Sequence, residues 1–203
     1  MASFNLFVAV FFILAAAGQG LVPCVLAQEA TAMKKIVMVI PENNFRDEEF
    51  LIPKEMFEKQ GMEVKTASTN TELARGTLGA SVKPDMLVDD INVNNFDAVV
   101  LVGGEGAAQY WDNLVVHKLV QQAALSNKVV AAICIAPVTL AKAGVLKGKR
   151  ATVWYSEAPQ LKAGGAFYLS SSTERDGKII TAAGPAESRE FAGEIIKALS
   201  AEN

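Results

Sequence analysis

Residues 128–137 read Lys-Val-Val-Ala-Ala-Ile-Cys-Ile-Ala-Pro. Val129, Val130, Ala131, Ala132 and Ile133 form an unbroken apolar run, the pattern of a strand buried on both faces of a sheet. Cys134 follows at once. Pro137 then suits the first turn of a helix, where its missing N–H is not needed, and the spacing predicts that helix over 138–143, ending at Gly144. A strand that turns directly into a helix sets its junction residue on a sharp elbow, lifted out of the sheet beside unpaired backbone N–H groups. Cys134 is that residue. A free cysteine is equally at home as a small apolar core filler, so position alone does not decide its role.

The same alternation extends outward from this stretch. Apolar runs predict strands over 35–40, 62–67, 96–102, 150–154 and 178–183. Helical spacing predicts helices over 48–60, 114–125 and 186–200, the second with Val115, Val116, Leu119, Val120 and Ala123 as its inner stripe. Pro53 is expected near the start of the first helix, where it does little harm. Residues 68–95 are rich in turn formers and predict a small hairpin or an irregular excursion. Strands alternating with helices make an α/β fold with a mostly parallel sheet covered on both faces. Sites in such sheets lie at the carboxyl ends of the strands.

The chain has 203 residues, 51% of them hydrophobic and 20% charged, which fits one globular domain. A formal charge of −3 and the lack of any long Lys/Arg cluster exclude nucleic acid as a partner. Lys147-Gly148-Lys149-Arg150 reads as a solvated turn before a strand. Residues 6–17 and 21–27 are almost wholly apolar, and small residues follow at Ala27, Ala30 and Ala32. That is the shape of a secretory signal peptide, although residues 1–5 carry no Lys or Arg. Residues 1–32 are therefore expected to be a signal peptide or export segment, giving a periplasmic or extracellular protein. The alternative is an uncleaved membrane anchor. Of the two cysteines, Cys24 falls in this segment, which leaves Cys134 as the lone thiol of the mature chain.

Two further features converge on the carboxyl edge of the sheet. Gly103-Gly104 closes the strand at 96–102, and paired glycines let backbone N–H groups approach a ligand. With the N–H of Ile135 they are expected to form an oxyanion hole. Asp47-Glu48-Glu49 opens the first helix, where carboxylates also suit a helix N-terminus.

Taken together, the order Asp-Glu-Glu-Phe-Leu-Ile-Pro (47–53), Val-Gly-Gly (102–104), Ala-Ala-Ile-Cys-x-Ala-Pro (131–137) and Gly-Pro (184–185) resembles the DJ-1/PfpI superfamily. The resemblance covers about residues 34–199, and a domain over 34–200 is expected from it. It implies a flavodoxin-like three-layer α/β/α sandwich with a cysteine nucleophile elbow, commonly dimeric. It also implies that the acid facing Cys134 is Glu49, four residues before Pro53, and that Gly103 and Gly104 flank the pocket. No cofactor is implied. No Cys/His/Asp cluster with ligand spacing follows Ala32, so no metal is expected either.

The chain departs from the family in its histidines. Protease-like members carry one directly after the cysteine, where this chain has Ile135. Deglycase-like members carry one on the next strand, where Trp154 stands. The single histidine, His117, lies off the apolar stripe of its helix and is expected to face solvent. A peptidase or amidase dyad is disfavoured accordingly. What remains is a Cys134–Glu49 pair in a pocket lined by Ile135, Trp154 and Tyr155. Ionising a thiol of pKa near 8.5 at pH 7 needs about 2 kcal/mol, and a helix N-terminus supplies roughly 0.3–1 kcal/mol. A protonated Glu49 donating to the sulfur is expected to close the gap, which requires a raised Glu49 pKa. Such a pair suits glyoxalase or deglycase chemistry on a small carbonyl compound or a carbonyl-modified protein. The other readings are an oxidation sensor or chaperone-like module working through Cys134 without turnover, and a scaffold with a vestigial elbow.

Overall fold

The computed structural model describes residues 33–201. The expected export segment over 1–32, and Cys24 with it, lies outside the described residues.

In chain order the elements are β1 (Lys35–Val39), β2 (Asn43–Phe45), α1 (Asp47–Lys59), β3 (Glu63–Ser68), β4 (Ala74–Gly76), β5 (Ser81–Val82) and β6 (Met86–Leu87). Then come β7 (Ala98–Leu101), α2 (Leu114–Leu125), β8 (Val129–Ile133), α3 (Pro137–Lys142), β9 (Arg150–Ala151) and α4 (Ala158–Ala163). The chain closes with β10 (Phe167–Tyr168), β11 (Thr173–Asp176), β12 (Ile179–Ala182) and α5 (Ser188–Ser200). The main sheet runs β11-β12-β8-β7-β1-β3-β6 and is parallel except for the edge strand β11. In it β7 lies between β1 and β8, so the carboxyl ends of β1, β7 and β8 sit side by side.

Side chains alternate across this sheet, and each face has its own core. Ile36, Met38, Val100, Ala131 and Ile133 pack with Phe50 and Phe57 of α1 and Phe191 and Ile195 of α5. Val37, Val39, Val99, Leu101 and Val130 pack on the other face with α2, α3 and Leu161 of α4. Both faces of the central strands are dry, which is why their sequences are continuous apolar runs. The result is the three-layer sandwich expected from the alternation.

Three expectations need correction. Pro53 is not at the start of α1: the helix begins at Asp47, so Pro53 falls inside it. Lacking an N–H, it cannot bond the carbonyl four residues back, which belongs to Glu49. Val115 is exposed, since Asn113 caps α2 by accepting from Val115 and Val116 N–H and the inward stripe starts at Val116. The strand expected over 150–154 stops at Ala151 and pairs with β10 in a separate two-stranded sheet. Beyond it Thr152 N–H bonds the Thr181 hydroxyl, and Trp154 N–H bonds the Cys134 carbonyl at 2.8 Å. Side-chain and elbow contacts thus replace a ladder, and periodicity does not register them. Finally, α4 and the antiparallel β11 have no counterpart in the sequence reading. The excursion over 68–95 does contain the expected hairpin, β4–β5, which joins β2 in a three-stranded sheet.

Candidate active site

Cys134 follows β8 with φ of +63°, in the left-handed region that L-residues rarely occupy. Its backbone is held on both sides: its N–H donates to the Ala182 carbonyl at 3.0 Å, and its carbonyl accepts from Trp154. A strained conformation persists only where its surroundings over-determine it, and such positions cluster at functional sites. The residue is 9% exposed and opens on a cavity of about 230 Å³. Glu49, Gly104, Ile135 and Trp154 line that cavity, with Arg46 and Pro185 completing much of its wall.

The two glycines have separate tasks. A Cβ on Gly103 would collide with Glu49 Oε2, Cys134 Cβ and the Ile133 carbonyl, so only glycine lets the acid and the thiol close over the end of β7. Gly104 has φ of +94°, and a Cβ there would strike the backbone of Asn44 and Arg46. The Gly104 and Ile135 N–H groups face the sulfur, whereas the Gly103 N–H faces the Glu49 carboxyl. The backbone donors at the sulfur are therefore Gly104 and Ile135, while Gly103, expected beside them, serves the acid instead.

Glu49 is completely buried, and neither carboxyl oxygen has a partner of good hydrogen-bond geometry. Loss of water is the main cause that pushes its pKa up to about 8; the Cys134 thiol and the Gly103 N–H pull it down more weakly. At neutral pH this acid holds its proton. Burial also pushes the Cys134 thiol up, to about 12, with the charged form of Glu49 as the second cause. The second cause vanishes while Glu49 is protonated, and the pair titrates as a unit. The expectation of a raised Glu49 is met. Burial acts on both acids in the same direction, while the Gly104 and Ile135 N–H groups pull the thiol down.

Arg46 was not singled out in the sequence. Its backbone N–H donates to the Gly103 carbonyl at 3.0 Å, and its guanidinium is held by Glu48 in a two-pronged pair at 2.8 and 3.0 Å. The positive charge acts on Glu49 and favours its ionised form. The one available signal was its place just before the acidic run. Thr77 and Glu105 also line the cavity and carried no signal. Tyr155 does not line it: the residue is 74% exposed and belongs to a neighbouring cavity that shares Trp154 and Pro185 with this one. His117 is half-buried, not solvent-facing, because its Nε2 bonds the Trp111 carbonyl at 2.8 Å. It is not among the lining residues. Among the described residues no cluster of His, Cys, Asp and Glu is arranged to hold a metal ion.

A family model for the DJ-1/PfpI family matches residues 34–198. An uncharacterized protein of Methanocaldococcus jannaschii is 41% identical over 83% of this chain and 84% of its own length. The glutathione-independent glyoxalase DJR-1.2 of Caenorhabditis elegans is 26% identical over 83% of this chain and 90% of its own. The deglycase PfpI of Pyrococcus furiosus is 29% identical over 80% and 98%. Among solved structures, the ThiJ/PfpI domain protein of Brachyspira murdochii superposes with a TM-score of 0.82 at 32% identity, covering 84% of this chain and 99% of that one.

Proposed function

The chain belongs to the DJ-1/PfpI family, and within it we propose an enzyme that acts on small reactive carbonyl compounds through Cys134, with Glu49 moving the proton. The observation that carries this reading is a thiol and a proton-bearing carboxylic acid closed over one glycine, in a pocket whose lining contains no histidine. Relatives named as a glyoxalase and a deglycase support the same chemistry.

On a 2-oxoaldehyde the steps balance as follows. The sulfur adds to the aldehyde carbon and the C=O π pair moves to oxygen. That oxygen takes a proton from Glu49, and Glu49 takes the thiol proton in return, leaving a neutral hemithioacetal. The Gly104 and Ile135 N–H groups stabilise the oxygen as its charge develops. To isomerise the adduct, the Glu49 proton passes to the neighbouring ketone oxygen. The resulting carboxylate removes the hydrogen from C1 and returns it to C2, then takes the C1 hydroxyl proton as the C1=O bond forms, giving a 2-hydroxy thioester and a protonated Glu49 again. Water then cleaves the thioester, releasing the 2-hydroxy acid and restoring the thiol. No redox partner is required. An acid with a pKa near the working pH suits both halves of this transfer.

Lactate formation from methylglyoxal, followed with wild type and Cys134→Ser, tests the proposal. The serine variant is expected to lose on the order of 10³-fold in kcat/KM. Equal rates in the two proteins, or no lactate above the uncatalysed rate with wild type, would overturn it.

A further inference from the structure

Beside the cysteine pocket lies a second cavity of about 320 Å³, and the two share Trp154 and Pro185 as walls. Trp154 stands where the resemblance places a histidine in deglycase-like members. The residue is 38% exposed, and its ring lies 2.9 Å from where a Gly184 Cβ would stand. It meets the ring of Tyr155 at 5.3 Å with a 44° tilt. Glu187 Oε2 lies 3.6 Å from the same Gly184 Cβ position. This carboxylate is half-buried and has no hydrogen bond or ion pair among the described residues. The nearby acid Glu157 is, by contrast, already occupied by Ser156 and Gln160. Tyr168 also lines the cavity, with Lys162 Nζ 5.3 Å from its ring centroid, but Lys162 is not a lining residue.

A partly desolvated carboxylate facing an aromatic pair attracts a cation with an apolar stem: the acid supplies the charge complement and the rings the cation–π face. The volume lies at the lower end of small-ligand sites and suits one side chain. We propose that this second cavity is a subsite for an ammonium or guanidinium group, held by Glu187 against Trp154 and Tyr155, on a ligand whose carbonyl end reaches Cys134. Only that last clause rests on the carbonyl chemistry proposed above; cation binding does not depend on turnover. Trp154 then acts as a partition that orients a two-ended ligand, with its backbone tied to the Cys134 carbonyl.

The test is calorimetric titration of the Cys134→Ser protein, which keeps binding separate from chemistry. The probes are Nα-acetyl-arginine amide, Nα-acetyl-lysine amide and the uncharged isostere Nα-acetyl-citrulline amide. At least one cationic probe is expected to bind roughly tenfold tighter than citrulline. Glu187→Gln should erase that preference, and Tyr155→Ala, at a position exposed enough not to disturb folding, should reduce it severalfold. Which cation binds tighter separates guanidinium stacking from ammonium pairing. Equal affinity for charged and uncharged probes, or a preference that survives Glu187→Gln in a protein with an unchanged circular dichroism spectrum, would overturn the proposal. If methylglyoxal turnover fails while the charged probes still bind, the subsite stands and the carbonyl reading falls.

Discussion

Asp47 and Glu49 are two buried carboxylic acids in the first turn of one helix, two residues apart, with opposite fates. Asp47 accepts hydrogen bonds from Leu78 N–H at 2.8 Å and Ala80 N–H at 2.7 Å, and so fastens the β4–β5 hairpin to α1. Glu49 points to the other side, under the elbow, and accepts no well-formed bond. Burial is common to both; donors are not. A buried acid with its donors in place becomes a fastener, and one without them keeps its proton and becomes chemistry.

The largest effect that would break this contrast belongs to Glu49→Gln, which keeps the shape and removes the titrating group. A loss of about 10²–10⁴-fold in kcat is expected; wild-type activity should also fall above pH 8 as Glu49 ionises, and the variant should lack that limb. The same variant reports on stability. The folded pKa of about 8 exceeds the ordinary value of 4.5, so the native state binds more protons than the unfolded state in between. Wild-type stability must therefore fall as pH rises through that window. Chemical denaturation at pH 5 and pH 8 should show a drop on the order of a few kcal/mol, absent in Glu49→Gln. A wild-type stability that is flat over this range would refute the raised pKa.

Asp47→Ala is the complementary change. It strands two amides and should cost about 1–3 kcal/mol, read as a lower denaturation midpoint, while kcat changes far less than in Glu49→Gln. A large kcat loss at unchanged stability would erase the distinction between the two acids.

Arg46→Gln should give the smallest effect. Arg46 favours the ionised Glu49, so neutralising it should move the alkaline limb of the pH–rate profile upward, by less than one pH unit given partial solvent screening. A downward shift would show that Arg46 acts by some other route.

The elbow was legible because its determinants are local. An apolar strand, a cysteine and Pro137 follow one another, and each favours the same backbone path. Gly103 was legible as a tight turn, but its task of admitting Glu49 and Cys134 together depends on three separate elements meeting. The second wall of the site was not legible for the same reason. Trp154 reaches the pocket because residues 152–154 leave β9 for bonds to Thr181 and Cys134, and no periodicity in 150–154 announces that departure. Arg46 and Glu187 look like ordinary surface charges until the fold supplies their neighbours.

Cys134 also has a use outside its own chemistry. Its main chain is bonded to the end of β12 on one side and to Trp154 on the other, so a group attached to its sulfur is mounted on the sheet and not on a swinging loop. A spin label or fluorophore placed there would report distances from the carboxyl edge of the sheet with little motion of its own anchor. The indole of Trp154 beside it would serve as a native quencher.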